Sequence, residues 1–221
     1  MPHDPSAKSS ASLLSIQIGE AKPSPGSTTG VTSIDKRPVR TAEITATGLT
    51  GDTISDTKNH GGLDQAVYMY TAEDYAHWEH ELGNTLAHGS FGENLTVAGL
   101  SSQDVRVGDR FRIGSVELEA TSARIACGTF QRHLGLEGWV ARFRDANRPG
   151  IYCRVLHGGT VETNADITHL PATDTIAILE TQHLYYDTNA SADRLRKALD
   201  APVASRTRAL FERRLEKALE S

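Results

Sequence analysis

Apolar and polar residues alternate in short runs along most of this chain, and near the C-terminus the period lengthens to that of a helix. Leu14, Ile16 and Ile18 alternate and predict a first strand. Residues 39–47 alternate again, with Ala42, Ile44 and Ala46 on one face, until Gly48 and Gly51 break the run. A short strand is expected over 66–70. Thr71 then offers an N-cap, with Asp74 three residues on, and Tyr75, Trp78 and Leu82 follow at helical spacing up to Gly83. A glycine-rich turn, Gly89 to Gly92, runs into a strand through Leu95 and Val97. Residues 111–113 and 116–120 predict a hairpin about Gly114 and Ser115. Residues 128–147 are expected to be helical in two pieces, and 151–156 to be a strand ending at the glycine pair Gly158 and Gly159.

From about Pro171 three helical segments are predicted, over 173–184, 191–199 and 205–219, with Leu210, Phe211, Leu215 and Leu219 on one face of the last. The expected organisation is a disordered segment over 1–12, a β-rich body over 13–170 and a three-helix extension over 171–221. About eight short strands with closely spaced turns point to a sandwich or barrel. The helices are too few and too uneven for a doubly wound sheet. The chain holds neither a phosphate-binding loop ending in Gly-Lys-Ser/Thr nor a Gly-x-Gly-x-x-Gly fingerprint.

Composition narrows the function classes. The net charge of −5 argues against a general nucleic-acid binder. Two cysteines do not make a disulfide framework. The polar N-terminus lacks the pattern of a secretory signal, and no apolar run reaches membrane-spanning length. A cytoplasmic protein with reduced thiols and no membrane partner is expected.

The chemistry centres on Cys127, which follows a strand, precedes Gly128 and opens a segment with several basic residues. Backbone N–H groups and positive charge are the conditions that favour a thiolate, which acts as a nucleophile or a soft metal ligand. Taken alone, a cysteine is more often inert packing; Cys153, on the face of its strand shared with Ile151 and Val155, is assigned to the core. Three loops combine glycine with groups able to hold an anion or a polar heterocycle: Lys58 to Gly62, Gly92 to Asn94, and Arg124 to Gly128. Arg148 with Pro149 and Gly150 is a fourth candidate. Each has a plainer alternative: a turn with a solvated histidine, a strand entry, or an arginine covering a strand end. No zinc spacing forms around Cys127 or His133.

The order Lys-Asn-His-Gly-Gly (58–62), Phe-Gly-Glu-Asn-Leu (91–95), Val-Gly-Asp-Arg-Phe-Arg-Ile-Gly (107–114), Ala-Arg-Ile-Ala-Cys (123–127) and Arg-Pro-Gly (148–150) resembles the MOSC family, the molybdenum-cofactor sulfurase C-terminal domain. It resembles most the stand-alone bacterial subgroup linked to resistance against hydroxylaminopurine. The resemblance implies a mostly antiparallel β-barrel, like the barrel domain of pyruvate kinase, carrying a small C-terminal three-helix subdomain. It implies a molybdenum cofactor (molybdenum bound to molybdopterin), with Cys127 as the metal ligand. Lys58, His60, Gly61, Gly62, Glu93, Asn94, Arg124, Gly128 and Arg148 are the implied cofactor-binding positions, and Cys127, His60 and Arg124 the implied catalytic set. No pyridoxal phosphate is expected. Relatives often carry glutamine and proline where Ser122 and Ala123 stand.

The implied activity is an oxidoreductase acting on N-hydroxylated bases or related N-oxygenated compounds. The chain has no iron–sulfur or flavin motif, so a separate electron-donor protein or small reductant is the expected partner. The helical extension is a candidate dock for that donor or for a homodimer, beside its plainer role as a packing appendage. A non-catalytic cofactor carrier and a persulfide carrier through Cys127 stand as alternatives.

Overall fold

A computed structural model describes residues 11–220. In chain order its strands are β1 (Ala11–Gly19), β2 (Lys22–Pro23), β3 (Val31–Thr32), β4 (Lys36–Val39), β5 (Thr41–Thr45), β6 (Gly48–Leu49), β7 (Val67–Thr71), β8 (Leu95–Ala98), β9 (Arg110–Ile113), β10 (Val116–Ser122), β11 (Ile151–His157), β12 (Gly159–Glu162) and β13 (Asp166–Leu170). The helices are α1 (Ala72–Leu82), α2 (Gly128–Leu134), α3 (Trp139–Asp145), α4 (Ile178–Tyr186), α5 (Ala192–Asp200) and α6 (Ser205–Glu220), with one 3₁₀ turn at Leu63–Gln65.

Strands β13, β9, β10, β11, β7, β8 and β1 pair in that order, and β1 returns to β13, so seven strands close a barrel. Strand β4 adds to the outer edge of β1. Every pairing around the barrel is antiparallel except β7 with β8. Those two are parallel because α1 and the turn after it carry the chain back to the starting end, the crossover that a parallel pair needs.

The alternation of β10 places Val116, Leu118 and Ala120 in the barrel core. On its other face, Glu117 is covered by Arg112 at 2.8 Å and Glu119 by Arg154 at 3.4 Å. The hairpin between β9 and β10 has the expected register, with Ile113 opposite Val116. Thr71 caps α1 by accepting from the Asp74 N–H at 3.0 Å, an interaction worth about 1 kcal/mol. The carboxylate of Asp74 does not complete the reciprocal box; Ser102 and Arg148 claim it instead.

Two expectations shift. The disordered stretch expected over 1–12 lies, up to residue 10, outside the described residues, and Ala11 and Ser12 already belong to β1. Within β1 the pairing with β8 slips between Leu13 and Ser15. That irregularity turns Leu13 and Ile16 into the core and leaves Leu14 exposed, so the uniform alternation of Leu14, Ile16 and Ile18 does not describe one face.

The helical extension is packed into the body. Leu184, Leu195 and Phe211 share one buried apolar cluster with Leu13, Phe111, Leu118 and Ile151 of the barrel. A second cluster is aromatic: Tyr70, Tyr75, Trp78, Phe91, Phe130 and Trp139 fill the space between α1, α2, α3 and β7. Phe91 stacks on Tyr70 with ring centroids 4.3 Å apart, which fixes the turn leading to residues 92–94.

Candidate functional site

A cleft of about 560 Å³ opens beside the barrel. Its walls are the β2–β3 hairpin, the loops over 52–61 and 91–94, the segment over 123–128, and the faces of α4 and α6 that carry Thr181, Tyr185 and Arg206. Of the residues expected at the site, Cys127, His60, Gly61, Asn94, Arg124 and Gly128 line this cleft.

Cys127 occupies the cap position ahead of α2, with extended backbone, and is partly exposed. Its carbonyl accepts from the Gln131 N–H at 3.1 Å. The other thiol, Cys153, is fully buried, and burial pushes its pKa up. The segment leading to Cys127 is tied at its start: the Ala123 N–H donates to Thr181 Oγ1 of α4 at 2.9 Å. A proline at position 123 would have no such donor.

Arg124 is only 5% exposed. Its guanidinium carbon lies 4.9 Å from the centroid of the Tyr68 ring and 4.5 Å from that of Phe130. Nη1 donates to the Phe91 carbonyl at 2.8 Å, while Nε is buried without a hydrogen-bond partner. Burial works against the charge, but Tyr152, Tyr68, Cys127 and Glu93 around it outweigh burial and push its pKa up. Gly92 approaches this side chain closely: at φ +69° a Cβ there would sit 2.7 Å from Ile34 and 3.4 Å from Arg124 Nη1.

His60 is held neutral. Burial, and then the positive charge of Arg124, lower its pKa to about 4. The His60 backbone N–H donates to the Asp56 carbonyl at 2.9 Å, closing the turn that carries it. Gly61 follows at φ +69°, where a Cβ would meet Ile54 at 2.6 Å.

Glu93 and Asn94 organise rather than face open space. Glu93 Oε1 accepts from Tyr75 Oη at 2.6 Å, from the Gly89 N–H at 2.6 Å and from Thr96 Oγ1 at 2.8 Å. Asn94 Oδ1 accepts from the Tyr68 N–H at 3.1 Å, and Nδ2 donates to Asp52 Oδ2 at 2.8 Å. Glu93 and three further expected residues do not line the cleft. Lys58 is exposed and does not line the cleft. Gly62 begins the 3₁₀ turn. Arg148 turns to the buried carboxylate of Asp74, 2.7 Å away, because that charge needs a partner more than an open loop does.

Sequence reasoning missed several lining residues. Lys36 of β4 and Asp52 form a buried ion pair in the cleft wall. No local motif marks either one. Arg132 of α2 and Arg206 of α6 also line the cleft, and among the described residues neither has a carboxylate within salt-bridge distance. Only the basic character of those helices hinted at them. The arrangement is a polar cleft with buried positive charge, a neutral imidazole and a single accessible thiol, suited to an anionic ligand that also engages sulfur.

Comparison with known proteins bears on the family and the fold. The family model for the MOSC domain matches residues 56–168. YflK of Bacillus subtilis is 37% identical over 137 residues, which are 62% of this chain and 62% of that one. A protein of Gibberella moniliformis named "Reductase" is 30% identical over 139 residues, 61% of this chain but 23% of its own length. The chain therefore spans less than two thirds of either relative. Among solved structures, YiiM from Geobacillus stearothermophilus superposes with a TM-score of 0.78 at 25% identity, covering 93% of this chain and 99% of that one. Among the described residues no helix is long and apolar enough to cross a membrane.

Proposed function

The chain belongs to the MOSC domain family, and on that premise we propose that its cleft holds a molybdenum cofactor through Cys127 and reduces N-hydroxylated bases or related N-oxygenated compounds. MOSC domains are associated with the molybdenum cofactor in general. The observation that carries the proposal is the pairing of one accessible thiol, Cys127, with a buried arginine, Arg124, whose Nε has no partner within the protein.

The residues present fit such a group. Among the described residues no cluster of three or more His, Cys, Asp or Glu could hold a metal ion. A lone thiol suits a metal that arrives with its own sulfur ligands and needs one more. The orphaned Arg124 Nε suits an anionic or carbonyl oxygen. When bound, the cofactor supplies two-electron oxygen-transfer chemistry.

The protein's own contribution is binding, orientation and charge. Arg124 stays cationic and counters negative charge that develops on a departing oxygen. His60, with a pKa of about 4, is not a proton store in the free cleft. At neutral pH it offers one N–H and one lone pair, a match for an N–OH group. Tyr68 and Tyr152 give the cleft aromatic walls. In the overall reaction the N–O bond breaks, the oxygen leaves as water, and two electrons and two protons from a separate donor are consumed. We place the protein in the cytoplasm, where such a donor and reduced thiols coexist.

The test is turnover of an N-hydroxylated purine by cofactor-loaded protein with a chemical reductant, following the amine product. Wild type is expected to form amine and Cys127→Ala to lose that activity. Equal activity in the variant would overturn the role of the thiol. Tight cofactor retention with no turnover on any N-oxygenated compound would make the protein a carrier.

A further inference from the structure

The helical extension grips both loops that carry the candidate chemistry. From α6, Arg206 Nη1 donates to the Gly61 carbonyl at 3.0 Å and to Gln65 Oε1 at 3.1 Å, and Nη2 donates to the Thr57 carbonyl at 2.7 Å. Those two carbonyls lie on either side of His60, so one planar guanidinium ties together the ends of the turn that presents the imidazole. The start of α6 is itself seated on the body. The Ser205 N–H and hydroxyl both donate to Asp64 Oδ2, and Asp64 pairs with Arg154 of β11 at 3.1 Å.

From α4, Thr181 Oγ1 accepts from the Ala123 N–H at 2.9 Å and donates to the Ile178 carbonyl at 2.6 Å. Ala123 begins the segment that ends at Cys127. Both grips are polar contacts at chosen backbone atoms. They exceed what apolar packing of Leu184 and Phe211 against the barrel requires.

We infer that the helical extension is a brace that sets the spacing between the His60 and Cys127 loops, with Arg206 and Thr181 as positioning residues. The fork of Arg206 holds two carbonyls at fixed separation, which a single ammonium cannot reproduce. Arg206 also adds to the positive field that keeps His60 neutral. Thr181 tethers the start of the Cys127 segment through the Ala123 amide. The inference deepens the proposed function but concerns the geometry of the free protein, so it stands or falls without molybdenum.

The experiment uses the full chain free of cofactor. Two readouts are taken: the His60 titration midpoint by NMR, and the rate of Cys127 alkylation by iodoacetamide, against which buried Cys153 is silent. The variants are Arg206→Met, Arg206→Lys and Thr181→Val, with Arg213→Met on the exposed face of α6 as the control for lost charge. Arg206→Met is expected to raise the His60 midpoint by about one unit, as the turn hydrates and a like charge is removed. Arg206→Lys is expected to leave the midpoint raised, because it restores charge without the fork. Thr181→Val is expected to change the alkylation rate several-fold, on the order of the effect of losing one backbone tether. The control is expected to match wild type. If the folded Arg206 and Thr181 variants match wild type in both readouts, or Arg206→Lys restores the wild-type midpoint in full, the brace is refuted. Wild-type protein that takes up no molybdenum while these readouts come out as expected would instead count against the proposed function alone.

Discussion

Lys36 Nζ lies 2.5 Å from Asp52 Oδ1, although only 7% and 6% of the two side chains reach solvent. Burial, reinforced by nearby Arg124, lowers the lysine pKa, and Asp52 opposes that shift. Asp52 also accepts from the Gly19 N–H at 2.7 Å and from Asn94, so the pair joins β1, β4 and the turn after Phe91. Breaking it strands a carboxylate in the cleft wall. Lys36→Met is expected to destabilise the fold by about 3 kcal/mol or more, and Lys36→Met with Asp52→Asn to recover part of that loss. Urea unfolding of the two single variants and the double variant checks this. Strictly additive losses would show that the pair is not coupled.

His60 makes stability depend on pH in a defined direction. Its ordinary pKa is 6.5 and its pKa in the fold is about 4. Between those values the unfolded chain binds a proton that the folded chain refuses. Stability is therefore expected to be undiminished by this group above pH 6.5 and to fall as the pH drops towards 4, by on the order of 2 kcal/mol. Replacing His60 with asparagine should flatten that part of the curve. An unchanged slope in the variant would assign the acid sensitivity to other groups.

Glu93 gathers three donors on one oxygen while Oε2 is buried without a partner. Tyr75→Phe removes the phenol donor at 2.6 Å and is expected to cost about 1.5–3 kcal/mol, the range for a hydrogen bond to a charged group. Glu93→Ala should cost more, because Tyr75, Thr96 and the Gly89 amide all lose their acceptor. Thermal melts of the two variants give the ranking. A Tyr75→Phe variant as unstable as Glu93→Ala would mean that the phenol alone holds the turn.

The elements that local pattern can specify were legible in the sequence. The β9–β10 hairpin, the Thr71 cap and the three C-terminal helices follow from alternation, capping chemistry and helical spacing. The slip in β1 was not legible, because a one-residue irregularity is set by its partner strand rather than by the strand itself. The parallel pairing of β7 with β8 depends on where α1 delivers the chain. At the site, glycine-bearing loops marked Cys127, Arg124, Asn94 and His60. Arg148 carried the same local signal, yet Asp74, distant in sequence, takes its side chain. Lys36, Thr181 and Arg206 stood in no motif and reach the cleft only through tertiary packing.

Arg124 combines a charge, two aromatic contacts and a carbonyl tie in one side chain. Lysine keeps the charge but neither the planar stacking nor the Nε donor. Arg124→Lys is expected to fold and to lower cofactor affinity by about 10–100-fold, the loss usual for a group that supports a metal site. Equilibrium dialysis against the isolated cofactor measures it. Undiminished affinity would place the anion-binding group elsewhere in the cleft.

The most direct measurement is the molybdenum content, by elemental analysis, of wild type and Cys127→Ser purified from a host that makes the cofactor. Near-stoichiometric molybdenum in wild type and its loss from the folded variant is the expected result. Equal molybdenum in both proteins, or none in either despite intact cofactor supply, would contradict the assignment of Cys127 as the metal ligand.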